Sequence, residues 1–164
     1  MKPLEEKALT LPNAAVADLM RAVLDRGGLF GFRARGTSMT PFLRDGDTLT
    51  IAPLAVESPR IGDVLAFSYP TGNGSRLVVH RPVGRRGRNL VLQGDASGST
   101  PEIISSEDIL GRLVKAVRKG EHVRLGLGPE RGLIAWLSCT GVLWGLVWPM
   151  WCQVRKILAA SMLW

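Results

Sequence analysis

A chain of 164 residues is the length of one ordinary domain and long enough to bury a real core. Its net charge of +7 raises nucleic acid as a partner, but no zinc-finger spacing, RNP-like segment or helix-turn-helix pattern accompanies the charge, so nucleic acid is not expected. Two cysteines, Cys139 and Cys152, both inside an apolar stretch, exclude a disulfide framework or a cysteine metal site and report nothing about redox compartment.

The chemistry is unevenly distributed. All five Trp and both Cys lie in the last fifth of the chain, and every Asp and Glu lies at or before Glu130. This divides the sequence into an N-terminal helix (1–28), a mixed polar β-domain (29–126) and an apolar tail (127–164). The first residues, Met1-Lys2-Pro3-Leu4-Glu5-Glu6-Lys7, carry acids and no long apolar run, and are read as neither a secretory signal nor an anchor.

Asn13 caps the first helix, and Val16, Leu19, Met20, Val23 and Leu24 recur at the spacing of one apolar helix face until Gly27-Gly28 ends it. From Leu29 the period shortens to that of strands. Strands are expected at Leu29–Arg35, Thr48–Ile51, Val64–Phe67, Leu77–Arg81, Leu90–Leu92 and Gly111–Val117, separated by turns rich in Gly, Asp, Asn and Pro. Pro82 lacks an N–H, so the fourth of these should end there or run along an edge. The result is a mainly β body, coiled or barrel-like, behind one amphipathic helix.

Residues 132–154 contain no charged side chain and are flanked by Arg131 and by Arg155-Lys156. Their length suits a bilayer crossing, the leading reading; Gly141, Gly145 and Pro149 leave an in-plane or re-entrant anchor as the alternative, and a soluble helix as the third. Membrane lipid is therefore an expected partner through the tail, at an inner or cytoplasmic membrane. The denser positive charge upstream (Lys115, Arg118, Lys119, Arg124, Arg131) would place the body on the cytoplasmic side.

Ser38 stands in Gly36-Thr37-Ser38-Met39-Thr40-Pro41, a turn-forming stretch where a hydroxyl and backbone N–H groups can face one small volume, as acyl transfer requires. A serine needs a base. Of the two histidines, His122 reads as surface, whereas His80 lies on a strand returning from a hairpin.

Together with Asp45-Gly46-Asp47, Gly62-Asp63-Val64-Leu65-Ala66-Phe67, Leu77-Val78-Val79-His80-Arg81-Pro82-Val83-Gly84, Leu92-Gln93-Gly94-Asp95 and Ile109-Leu110-Gly111-Arg112-Leu113-Val114, this stretch resembles type I signal peptidases. The wider serine-peptidase group includes the LexA-type self-cleaving repressors. The resemblance covers about residues 29–118, and a histidine at the base position is similar to the Ser-His branch. It implies Ser38 as nucleophile, His80 as general base, and Asp95 as the acid that orients it. Gly36, Ser38 and Met39 would line the oxyanion and substrate position, with no cofactor and no metal. The implied substrate is a precursor protein or peptide with small residues beside the cut.

The chain departs from the family where Gly94-Asp95 continues into Ala96-Ser97-Gly98 rather than Asn and further acids. It departs again in carrying its uncharged run after the body instead of before the nucleophile. Two other readings follow: a membrane-tethered binding module without activity, and a LexA-like self-processing regulator. The second is the weaker, since the chain has no Ala-Gly or Cys-Gly dipeptide.

Overall fold

A computed structural model describes residues 13–54, 59–72, 74–96 and 98–140, with Gly145 and Pro149. Most of the 132–154 run falls outside them, so the expected membrane crossing does too. Among the described residues no helix is long and apolar enough to cross a membrane.

Helix α1 spans Asn13–Leu24, and the capping expected of Asn13 lies outside what the described residues show. Its buried stripe is Ala17, Met20 and Leu24, while Leu19, expected on that face, is 47% exposed. The helix is thus rotated toward its smallest apolar residue, because Ala17 allows the helix to lie close against the sheet.

The protein is mainly β. Eight antiparallel strands follow: β1 (Phe30–Arg33), β2 (Thr48–Pro53), β3 (Leu65–Thr71), β4 (Gly74–Arg86), β5 (Asn89–Gln93), β6 (Glu102–Ile104), β7 (Ile109–Arg118) and β8 (Glu121–His122). A second helix, α2 (Arg131–Cys139), closes the described chain. The sheet runs β1-β2-β7-β3-β4-β5-β6, with β8 on β7. This path is open, with β1 and β6 at its ends.

One core lies under α1, where Ala17, Met20 and Leu24 meet Leu49, Ile51, Val64, Leu113 and Ala116. Full burial of a side chain such as Met20 contributes about 1.5–3 kcal/mol. A second core forms around Leu65, Phe67, Val78, Leu90, Leu92, Ile104 and Ile109.

Strand β4 links the two halves, and here the expectation for Pro82 is corrected. The strand does not stop there. Leu65 to Thr71 pair with its first half, up to His80, and β5 pairs from Arg81 onward, with a register shift between Pro82 and Gly84. A proline is accommodated because it follows the end of the β3 ladder at His80 and adjoins the register shift against β5. Nor does the chain divide cleanly at 126/127: Ile134 and Ala135 of α2 are buried, with Ile134 beside Phe42.

Candidate functional site

Consecutive residues on a strand point to opposite faces, and β4 uses this at His80 and Arg81. His80 is buried, and its ring packs at a tilt on Phe67, with centroids 5.9 Å apart. Its Nδ1 lies 3.1 Å from Glu102 Oε2 on β6. A carboxylate oxygen only accepts, so Nδ1 carries the proton and donates it, which leaves Nε2 with a free lone pair.

Nε2 points toward Gly94, just past the end of β5. A Cβ built on Gly94 would lie 3.2 Å from His80 Nε2, 2.7 Å from Ser99 Oγ, and in collision with the Ser38 carbonyl oxygen. All three groups therefore sit within 3.2 Å of one point. Glycine is required there for space. The Ser38 carbonyl also accepts from the Ala96 N–H at 2.8 Å, tying the serine's turn to the loop after β5. So the backbone of Ser38, forty-two positions away in the chain, and the ring of His80 both close on Gly94.

Ser38 is exposed at the mouth of this junction while Met39 beside it is buried and anchors the turn in the main core. The turn is fastened behind by Arg118, which donates to both oxygens of Asp47 at 2.8 and 2.7 Å and to the Phe42 carbonyl at 2.8 Å. Burial pushes the Asp47 carboxyl up, but the Arg118 bonds and the Arg44 N–H outweigh it and hold it below the usual range. Of the three groups expected at the oxyanion position, Gly36 is occupied otherwise: its N–H donates to Asp45 Oδ1 at 2.9 Å. Among the described residues, the N–H groups of Ser38 and Met39 donate to no protein acceptor.

Asp95 is placed differently from the expectation. Both its oxygens take the Arg81 guanidinium, at 2.8 to 3.3 Å, and Ser138 of α2 adds a bond at 3.3 Å. The acid on the His80 ring is Glu102 instead. Asp95 acts on the histidine through its charge alone. Burial lowers the His80 pKa from its ordinary value; the Glu102 charge and hydrogen bond, then Asp95, raise it, and Arg76 lowers it, with a net fall. At neutral pH the ring is therefore an unprotonated base.

Sequence reasoning missed Glu102 and Ser99. Glu102 opens a three-residue strand too short to show a period, and its pairing with Leu92 is what brings it level with β4 across β5. Ser99 is held by Gln93 Nε2, which donates to its carbonyl at 2.9 Å.

A groove of about 940 Å³ lies elsewhere, along β7 and the segment from His122 to Glu130. It is lined by neither Ser38 nor His80, so the cleft at their junction is a separate feature. Among the described residues no three His, Cys, Asp or Glu side chains gather to hold a metal. No family model matches this chain, and no curated protein or solved structure is significantly similar to it.

Proposed function

We propose that this chain is a membrane-associated serine endopeptidase, similar to type I signal peptidases, that cleaves a precursor protein or peptide through Ser38 and His80. One observation supports the reading: the backbone carbonyl of Ser38 and Nε2 of His80 both lie within 3.2 Å of one point beside Gly94, so the serine's turn adjoins the ring of the base.

In this scheme Ser38 Oγ attacks the scissile carbonyl carbon while its proton passes to His80 Nε2. The oxyanion takes the N–H groups of Ser38 and Met39. Collapse breaks the C–N bond, and the Nε2 proton leaves with the amine. A water then gives its proton to Nε2 and its oxygen to the acyl carbon, and Ser38 Oγ recovers the proton as the acid departs. Glu102 holds Nδ1–H throughout and stabilises the imidazolium that forms twice. The depressed His80 pKa supports the base role, since the ring starts unprotonated at neutral pH. The uncharged run at 132–154 supports the membrane assignment.

The test uses a serine-directed fluorophosphonate on the full chain. Labelling is expected at Ser38, absent in Ser38→Ala, and about a hundredfold slower in His80→Ala. Undiminished labelling of Ser38→Ala would refute the assignment.

One observation favours the non-enzymatic module: Ser38 Oγ makes no hydrogen bond among the described residues. Catalytic hydrogen bonds often close only around substrate. Folded protein that stays unlabelled at neutral pH would favour the module.

A further inference from the structure

Three chain segments meet where α2 begins. A single nitrogen of Arg81, Nη1, donates to the carbonyls of both Gly62 and Gly126, so these two turns lie side by side. Gly62 also packs on the start of α2: a Cβ there would stand 2.7 Å from the Arg131 carbonyl and 2.8 Å from the Gly132 nitrogen.

Each segment carries an exposed apolar side chain next to this junction. Ile61 is 51% exposed, Leu125 52%, Leu133 59%, and Trp136, one turn further along α2, 61%. Half of the eight large exposed apolar side chains among the described residues thus belong to the segments that meet at this junction. Arginines stand beside two of these residues: Arg124 before Leu125, and Arg131 two before Leu133, with its Nη1 3.3 Å from Asp63 Oδ1.

Apolar side chains interleaved with arginines match the interface of an anionic bilayer. The apolar groups enter the boundary between headgroups and acyl chains, arginine stems lie along it, and guanidiniums reach phosphates. Tryptophan favours the same depth. The surface is continuous with the uncharged run, because α2 supplies that run's first residues, from Gly132.

We propose that Ile61, Leu125, Leu133 and Trp136, with Arg124 as the cation that meets phosphate, form a docking face for an anionic phospholipid bilayer. The face belongs to the folded body and is separate from any insertion by later residues. It does not depend on the peptidase reading. Its geometry bears on the cleft all the same: Ser138, on the buried side of α2, bonds Asp95, the neighbour of Gly94. Docking through α2 holds the cleft at a set height above the lipid.

The experiment uses the full chain with Cys139→Ser and Cys152→Ser and a single new cysteine carrying an NBD fluorophore. Leu125→Cys is the informative position, because it precedes α2 and is not drawn in by the uncharged run. Gly72→Cys, at the turn between β3 and β4 with open space around it, is the control. On vesicles of phosphatidylcholine with phosphatidylglycerol, the label at 125 should shift to the blue and be quenched by shallow spin-labelled lipid, and the label at 72 should not change. A bound protein whose label at 125 stays water-like would overturn the proposal. So would a label already shifted without vesicles, which would mean that residues 141–164 or a second copy cover the face. Failure to bind these vesicles would overturn it as well. Arg124→Glu should weaken binding at least about fivefold, with an unchanged melting temperature; equal affinity would refute the anionic surface.

Discussion

His80 and Arg81 are neighbours on one strand, each held by a carboxylate, and they serve opposite ends. Arg81 is wholly buried, and its donors are taken up by Asp95, Gly62 and Gly126, with the guanidinium over the Phe42 ring. It fastens the turns, the loop after β5 and, through Ser138, α2. His80 has one nitrogen fixed by Glu102 and the other left unspent at the cleft. A saturated ion pair makes a scaffold; an unsaturated one makes a reagent. Alternation along the strand lets two consecutive positions, about 3.3 Å apart, supply both.

That contrast can be broken at Arg81 first. Arg81→Met takes the guanidinium away from buried Asp95 and should cost about 3–5 kcal/mol in urea unfolding. Adding Asp95→Leu should recover part of the loss, since the buried charge is gone. If Arg81→Met unfolds like the wild type, the scaffold role is wrong.

Glu102→Gln is the matching change on the other pair. It should slow fluorophosphonate labelling about a hundredfold while leaving the melting temperature close to wild type. An equal loss of stability would make Glu102 a scaffold residue too. The pH profile separates them further. With a depressed His80 pKa, labelling should rise with pH below the ordinary histidine range and be flat above it. Glu102 raises that pKa, so Glu102→Gln should move the rising limb to lower pH; a limb that stays in place would show that His80 is not the titrating group.

The same pKa shift affects stability, with a definite sign. The folded chain binds the His80 proton less readily than the unfolded chain, so its stabilising contribution is complete above about pH 6.5 and declines as pH falls toward the folded value. His80→Gln should flatten this slope in denaturant titrations between neutral and mildly acid pH. The smallest effect belongs to α1: Leu19→Ser should change stability by less than about 0.5 kcal/mol, whereas Met20→Ala should cost about 2–5 kcal/mol. Equal costs would return Leu19 to the buried face.

Much of the body was legible in local pattern. The alternation in Thr48–Ile51 and Leu77–Arg81, and the Gly-rich turn at 71–74 between β3 and β4, all became strands and a hairpin. What escaped was whatever depended on partners distant in the chain. Strand β6 has three residues and carries no period, so Glu102 was invisible. The acid expected on His80, Asp95, belongs to Arg81 because β4 turns the two side chains to opposite faces. The expected break at Pro82 became an exchange of strand partners.

By itself the sequence determined the kinds of element, their order, the candidate serine and histidine, and the long uncharged stretch, because periodicity and turn chemistry act between near neighbours. Tertiary structure alone decided which carboxylate faces which base, why Gly94 must lack a side chain, and which apolar residues stay outside. Those outcomes are set by strand register and close packing, where displacement by one residue reverses a side chain's face and one methyl group fills the gap between two groups.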